Sequence, residues 1–290
     1  MSCNPIIPAS NLPTLAELLT TKSGRRRKIL TKDSHKAQVS EDNGKPVMIH
    51  YMASHTGGSL LFPELELRVN VCLMATSCAG SCLDKTGRMG TPSVRDSYRH
   101  KAVAYTLYPE EYMQLVHQEI QWIAVAIPCR LNGTSDNRYE KVIIPSTGKN
   151  ILESNPDREF YDYTKWRLKR RMGWIRSGGH LTYSFNEGKN AAKYSREYLE
   201  AGFSVAVVIG GPIGCKRPKN TAIKIVKEIL KRGSLWGRPV IDGDKYDDRR
   251  ADPPGSIVLL TAKGPALHNG SGFVIRFDED LNLVSGHQVL

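Results

Sequence analysis

The sequence predicts an α/β fold built on a parallel sheet and, within that class, an incomplete (β/α) barrel. Short apolar and β-branched runs alternate with helical segments over about residues 124–263, and such alternation is typical of βα units. Polar, reactive side chains follow each apolar run, where the strands would end. A barrel brings these strand ends to one mouth, whereas an open doubly wound sheet is the second arrangement that fits the pattern.

The first 45 residues differ from the rest of the chain. They hold the basic run from Gly24 to Lys28, followed by Lys32 and Lys36, and they show little apolar periodicity. A basic run of this kind is typical of a solvated tail, with attachment to nucleic acid as the alternative. We therefore predict a flexible basic arm over residues 1–45 and a single α/β barrel-like domain over residues 46–290.

Residues 65–72 are predicted to form a strand that leads into a loop with the spacing C-x5-C-x3-C, formed by Cys72, Cys78 and Cys82. Thiolates are the ligands of iron-sulfur clusters and of zinc, and small residues between these cysteines allow three sulfurs to converge. Since a reducing compartment disfavours disulfides, we expect these three cysteines to bind metal. Structural or free thiols are the alternative.

After this loop, residues 93–123 are predicted to be helical with a break at Pro109, because Pro, Glu and Glu form a favourable first turn and an apolar stripe runs from Tyr112 to Ile120. A later helix is capped by Asn190 and ends at Gly202, and a basic helix follows Cys215. The apolar runs of the sheet are residues 124–128, 160–165, 180–184, 205–209, 239–244 and 257–263.

Several side chains at the predicted strand ends are candidates for catalysis. Asp162 and Lys165 could act as an acid/base pair, although a charged pair that closes a barrel end is the alternative. His180 is the best general base outside the cysteines, although a hydrogen-bonded structural histidine is the more common case. Asp242 and Asp244 could bind magnesium for phosphoryl transfer, whereas an Asp-rich turn with ion pairing to the neighbouring arginines explains the same residues.

The charge of the chain favours a polyanionic partner or substrate, such as DNA, RNA or a nucleotide. Lys and Arg number 41 against 29 Asp and Glu, giving a net charge of +12. The segment from Lys165 to Arg176 combines basic residues with two tryptophans, a composition that binds single strands through phosphate contacts and base stacking. The residues predicted to make these contacts are Arg167, Lys169, Arg170, Arg171 and Trp174. The alternative is a solvated amphipathic segment with its tryptophans in the core.

Several motifs occur in an order that resembles a family of tailed-bacteriophage proteins with no established activity. The matching stretches are Asn70 to Cys72 with Cys78 and Cys82, residues 86–88, 130–136, 160–165, 180–184, 240–244, 262–264 and 271–274. The resemblance covers about residues 65–275. Together with the lack of an apolar stretch near the ~20 residues of a membrane helix, it implies a soluble protein of the host cytoplasm with no membrane partner.

More distantly, a three-cysteine loop after the first strand of an incomplete barrel is similar to radical S-adenosylmethionine enzymes. That resemblance implies a [4Fe-4S] cluster held by the three cysteines, with one iron open to S-adenosylmethionine. The usual spacing there is C-x3-C-x2-C, so this loop is a variant. By position, the expected cofactor-binding residues are Asn132, Ser135, Asp136, Ser184, Asp242 and Asp244.

The function expected from these observations is that of a phage iron-sulfur enzyme acting on a nucleotide or a nucleic-acid-related substrate. Two other classes stay open. One is a nucleic-acid-binding protein whose cysteine loop holds structural zinc, with His100 or His117 as fourth ligand. The other is a magnesium-dependent phosphoryl-transfer enzyme that uses Asp242 and Asp244.

Overall fold

A computed structural model describes residues 12–54, 69–82 and 87–285 of the chain. The strands are β1 Leu30–Thr31, β2 Met48–His50, β3 Cys129–Arg130, β4 Phe160–Thr164, β5 His180–Ser184, β6 Ser204–Gly210, β7 Ser234–Leu235, β8 Arg238–Asp242, β9 Ile257–Thr261, β10 Val274–Phe277 and β11 Leu283–Ser285. The helices are α1 Leu15–Leu18, α2 His35–Asp42, α3 Pro92–Leu107, α4 Pro109–Gln121, α5 Met172–Arg176, α6 Ala191–Glu200 and α7 Pro218–Arg232.

The strands form one large sheet in the order β1-β2-β3-β4-β5-β6-β9-β8-β7. Every neighbouring pair from β2 to β8 is parallel, and β1 and β7 add antiparallel strands at the two sides. The predicted α/β fold with a mostly parallel sheet is therefore confirmed. Within the residues that the structure describes, no strand pairing joins the β1 side to the β7 side, so closure of a barrel is not shown.

The sheet branches at the carboxyl end of β5. Along one side of β6, strand β9 pairs from Val205 to Ile209. Along the other side, β5 pairs only as far as Ala206, and β10 pairs with the rest of β6 from Val208 to Gly210. Strand β5 thus ends at Ser184, before the part of β6 that pairs with β10.

The strand ends therefore lie along one edge of the sheet, which we call the carboxyl edge. It is the edge at which the parallel strands end, at Arg130, Thr164, Ser184, Gly210 and Asp242. In α/β folds, parallel strands direct their carboxyl ends toward ligands, because loops of variable sequence follow them there.

Amphipathic helices cover the sheet as the apolar stripes predict. Helix α4 begins at Pro109 and buries Tyr112, Val116 and Ile120, and α7 buries Ile225 and Ile229. Helix α6 ends at Ala201, next to Gly202, whose positive φ of 84° suits glycine. The apolar run 124–128 precedes a strand instead of forming one, since β3 starts at Cys129.

Residues 12–45 are part of the α/β domain, which corrects the prediction of a separate basic arm. Thr14 and Glu17 form a capping box that starts α1, and Leu18 and Leu30 are buried in the main core. Strand β1 pairs with β2. The sequence did not show this pattern, because each element here is shorter than the windows over which periodicity is detected, and basic side chains lie between the apolar ones. Residues 1–11 lie outside the described part of the chain.

A buried group of charges connects the two halves of the sheet, and we call Lys36, Arg130, Tyr161 and Asp247 the interior ion network. Asp247, in the segment after β8, accepts a hydrogen bond from Arg130 Nη1 on β3 at 3.0 Å and from the Tyr161 hydroxyl on β4 at 2.9 Å. Lys36 Nζ of α2 lies 3.2 Å from the same carboxylate. Burial alone would raise the pKa of Asp247, but Arg130 and Lys36 hold it well below its ordinary value.

Candidate functional site

The cysteine loop, residues 69–82 as described, lies against the carboxyl edge. The backbone N–H of Asp136, after β3, donates to the carbonyl of Val71 at 2.8 Å. The backbone N–H of Ser77 donates to Glu187 Oε1, after β5, at 2.8 Å. Segments that follow two different strands therefore hold the two halves of the loop.

A third anchor comes from the segment that precedes β10. Asn269 Nδ2 donates to Ser81 Oγ at 2.9 Å, and the hydroxyls of Ser77 and Ser271 are hydrogen-bonded to each other. With three anchors from distant parts of the chain, the placement of the loop depends on the completed sheet rather than on local sequence.

Local hydrogen bonds shape the loop itself. The side chain of Asn70 accepts from the backbone N–H of Cys72 at 3.0 Å, and residues Ser77–Ala79 form a single 3-10 turn around Cys78. The described residues 69–72 are not in a strand, although the predicted strand ran through them. Its first part, residues 65–68, lies outside the described residues.

Burial and the neighbouring residues shift the ionisation of Cys72 in the loop. Burial raises the pKa of Cys72 to about 12, and Lys165 partly opposes that shift, while Cys78 and Cys82 add to it. The thiol of Cys72 is therefore protonated at neutral pH. Across the described part of the chain, no three His, Cys, Asp or Glu side chains are arranged as a ready metal site. The thiols are neighbours, but as placed they do not enclose an ion.

Lys165, directly after β4, is the cation of this site. Its backbone N–H donates to Asp136 Oδ2 at 2.8 Å, and its Nζ donates to Ser184 Oγ, at the end of β5, at 3.3 Å. Burial lowers the pKa of Lys165, but the neighbouring Cys78, Cys72 and Asp136 raise it above the ordinary value. In the described residues, the Lys165 ammonium forms no ion pair with a carboxylate.

Asp136 is buried beneath Lys165 and fixes the end of β4. Its Oδ1 accepts from Thr164 Oγ1 at 2.7 Å and lies 3.5 Å from Arg171 Nη1. The Nε of Arg171 lies 3.2 Å from Glu140. Because Arg171 is fully buried between these two carboxylates, its charge stabilises the interior and is not presented to a partner.

The predicted pair of Asp162 and Lys165 does not form. Asp162 is fully buried, its Oδ2 accepts from Asn132 Nδ2, and burial raises its pKa to about 7. Asn132 Oδ1 in turn accepts from Ser135 Oγ at 2.7 Å. These three predicted site residues thus form a buried hydrogen-bond network that supports the segment after β3, whereas Lys165 contacts Ser184 at the edge.

His180 lies at the opposite end of β5 from Ser184. Four residue steps of about 3.3 Å separate their Cα atoms by roughly 13 Å. The imidazole packs against Phe203 with ring centroids 5.6 Å apart, and burial, with a smaller effect from Arg249, lowers its pKa to about 4. The structure therefore places His180, the candidate general base, at the start of β5 and away from the carboxyl edge where Lys165 lies.

Asp242 and Asp244 lie at the carboxyl edge but form their own turn. Asp242 Oδ1 accepts from the backbone N–H of Asp244 at 2.9 Å. Asp244 Oδ2 accepts from the Thr261 N–H at 3.0 Å, and its Oδ1 pairs with Lys263 at 2.8 Å. Their oxygens therefore cap a turn, as in the alternative that the sequence left open, but the ion pair of Asp244 is with Lys263 and not with the neighbouring arginines.

The basic segment after β4 divides between core and surface. Trp174 is fully buried and donates its Nε1 to the His180 carbonyl at 3.1 Å. Arg167, Lys169 and Arg170 are exposed, and Arg167 pairs with Glu197. Trp174 and Arg171 are thus corrected from a nucleic-acid surface to the core, because burial of a large indole outweighs its polar neighbours in the sequence.

The structure also brings forward residues that sequence reasoning did not assign. Lys189, Lys193 and Arg196 are exposed at or on α6, beside the basic segment. Their spacing of four and three residues was the available signal, since side chains so spaced share one face of a helix. The role of Asn269 as an anchor of the cysteine loop had no local signal, because its partner Ser81 is 188 positions away.

Comparison with known proteins gives one match. Residues 19–276 match the model of the family described as gene product 88. No curated protein and no solved structure matches the chain. Among the helices of the described ranges, none is both long and apolar enough to cross a membrane.

Proposed function

The chain belongs to the phage gene product 88 family, and we propose that it is an iron-sulfur enzyme. In this proposal Cys72, Cys78 and Cys82 bind a [4Fe-4S] cluster, and S-adenosylmethionine or a related nucleotide is the cosubstrate. The observation that carries the proposal is the position of the cysteine loop, which three anchors hold against the carboxyl edge of the sheet. Ligands of α/β folds bind at this edge.

The state of the thiols is compatible with a site that closes on binding. Cluster ligands are thiolates, and binding to a protonated site releases protons and draws the ligands together. Cys72, Cys78 and Cys82 lie in one loop that three anchors hold at the carboxyl edge, so a local rearrangement of this loop is enough to bring them together. Three thiolates leave one iron of a four-iron cluster without a protein ligand, and the cluster supplies one-electron chemistry to a molecule bound there.

Lys165 and Ser184 are the residues that we assign to the cosubstrate. The Lys165 ammonium lies among the three cysteines and its hydrogen-bond acceptor is a hydroxyl, not a carboxylate. It can therefore pair with the carboxylate of an amino acid group without first losing an ion pair. The hydrogen bonds of four buried residues fix the segments after β3 and β4 that carry the site. These residues are Asn132, Ser135, Asp136 and Asp162.

Metal analysis of the protein after anaerobic purification and reconstitution tests this proposal. We expect about four irons and about four sulfides per chain, as in a [4Fe-4S] cluster, with the broad visible absorption of such a cluster. Replacement of Cys72, Cys78 and Cys82 by Ser should abolish iron binding, whereas Cys215→Ser, which removes a thiol outside the loop, should retain it. One zinc per chain without iron, or a loop that binds neither metal, would overturn the proposal.

A further inference from the structure

We infer that five exposed cations beside the cysteine loop form a docking surface for single-stranded nucleic acid. These rim cations are Lys169, Arg170, Lys189, Lys193 and Arg196. Lys169 and Arg170 lie in the 3-10 turn Leu168–Arg171, after β4. The other three lie at or on α6, after β5. Both elements therefore follow strands that end at the carboxyl edge.

Contacts between the two elements combine the rim cations into one surface. Arg167, just before the turn, pairs with Glu197 of α6 at 3.1 Å. The hydroxyl of Tyr198, also on α6, donates to the carbonyl of Trp166 at 3.0 Å. Since α6 and the turn are fixed to each other, their exposed cations stay side by side.

Carboxylates of the described residues leave all five rim cations unneutralised, whereas they neutralise some cations elsewhere in the fold. In the described residues none of the five forms an ion pair, and Arg167 is the neighbour whose charge is matched by Glu197. By contrast, the cations of α7 include Lys224 and Lys231, which pair with Glu279 and Glu228. Unmatched positive charges that lie close together raise the local concentration of anions.

The geometry of the surface suits a phosphate backbone. Lys193 and Arg196 lie on α6 and Lys189 lies in the turn just before it, so the three span roughly 10 Å, taking about 1.5 Å per residue as in a helix. A strand with stacked bases advances about 3.4 Å per nucleotide, so the row matches about three nucleotides.

We assign a single strand to this surface because the site proposed at Lys165 and Ser184 lies beside it. This assignment therefore rests on the proposed function. Lys165 and Ser184 are only partly exposed at the carboxyl edge. A base reaches a recessed site only when it is unpaired, and unpairing costs least in a single strand. The rim cations would then hold the backbone while one nucleotide enters the site.

Fluorescence anisotropy with the metal-free protein tests the surface apart from any cluster. The probes are a labelled oligothymidylate, the same length of oligouridylate, and the oligothymidylate duplex with oligoadenylate. We expect both single strands to bind more tightly than the duplex, with strong weakening by salt. For single strands, the slope of log affinity against log salt concentration is about −0.7 per phosphate contact. The triple variant Lys189→Ala, Lys193→Ala and Arg196→Ala should therefore reduce the magnitude of this slope by about 2. It should also lower the affinity at about 0.1 M salt by about 100-fold.

A control variant removes the same number of positive charges, three, from helix α7. Lys227, Lys231 and Arg232 are exposed in the last turns of that helix, which lead back to β7 and away from the carboxyl edge. Their joint replacement by Ala should change affinity by less than about threefold, because charges more than about 10 Å apart are largely screened at 0.1 M salt. Joint replacement of Lys169 and Arg170 by Ala removes the cations of the 3-10 turn and should also weaken binding of the single strands.

Equal losses in the α6 and α7 variants would show attraction to net charge alone and would overturn the inference. So would preference for the duplex, or no binding by the unaltered protein. A protein without iron that still binds single strands through the rim cations would refute the proposed function but not this surface.

Discussion

Two groups of charged and polar side chains lie on the same sheet and differ in how completely they are paired. In the interior ion network, the Asp247 carboxylate contacts Arg130, Lys36 and Tyr161, and it is fully buried. At the carboxyl edge, Lys165 contacts the Ser184 hydroxyl and lies near Cys72, whose pKa burial raises. The first group has its charges paired within the chain, whereas Lys165 donates to a hydroxyl and forms no ion pair with a carboxylate of the described residues.

The difference teaches which charges hold the fold and which are available for chemistry. A buried carboxylate with two cations and a tyrosine cannot bind a further ligand without losing an ion pair, so Asp247 is structural. The edge group is instead positioned by neighbours such as Asp136 and Glu187, whose hydrogen bonds fix the backbone around it. We expect substitutions in the first group to affect stability and those in the second to affect binding.

The largest effect is expected for Asp247→Ala. Removing one partner of a buried ion pair leaves the other charges uncompensated and typically costs about 3–5 kcal/mol. Urea unfolding measured by circular dichroism should show a loss of this size, or a protein that no longer folds. Asp157→Ala, at an exposed carboxylate, should change the free energy of unfolding by less than about 0.5 kcal/mol. A loss of under about 1 kcal/mol for Asp247→Ala would remove the contrast between the two groups.

The pH dependence of stability should identify the same carboxylate. The pKa of Asp247 is lower in the folded protein than in the unfolded chain, so its stabilisation is complete above the ordinary Asp pKa of about 3.9 and is lost as the pH falls below it. The difference in unfolding free energy between the unaltered protein and Asp247→Asn should shrink by about 1.4 kcal/mol per pH unit below about pH 4. A difference that stays constant down to pH 3 would contradict the low pKa.

The smallest effect on stability is expected for Lys165→Met. Methionine keeps much of the apolar volume, and no ion pair with a carboxylate is lost, so the free energy of unfolding should change by less than about 1 kcal/mol. The same urea titration measures it, with the unaltered protein as reference. If Lys165→Met is instead as damaging as Asp247→Ala, the lysine holds the fold, and its assignment to a cosubstrate fails.

Much of the sheet could be predicted from the sequence because its signals are local. The runs at 160–164 and 180–184 are rich in β-branched and aromatic residues and form β4 and β5, and Pro109 starts α4. The arrangement of the site was harder to predict from the sequence. Asp136, Lys165 and Ser184 were expected at a common edge from the ends of their strands, and the structure places them in one hydrogen-bonded group.

The residues that the sequence misplaced depend on contacts between distant parts of the chain. Asp247 pairs with Arg130, which is 117 positions away in the sequence, and no local pattern reveals such a pair. Trp174 sits in a segment dense with Arg and Lys, yet it packs against Phe160 in the core. Charge density in sequence therefore does not show which side of a short helix is buried.

The central claim, that the cysteine loop binds a redox-active cluster with one open iron, is tested most directly by electron paramagnetic resonance of the anaerobically reduced protein. The account predicts the signal of a reduced [4Fe-4S] cluster that changes when S-adenosylmethionine is added. The signal should be absent when Cys72, Cys78 and Cys82 are replaced by Ser and present in Cys215→Ser. A cluster signal that persists without the three loop cysteines, or a fully metal-loaded protein that shows no such signal, would contradict the claim.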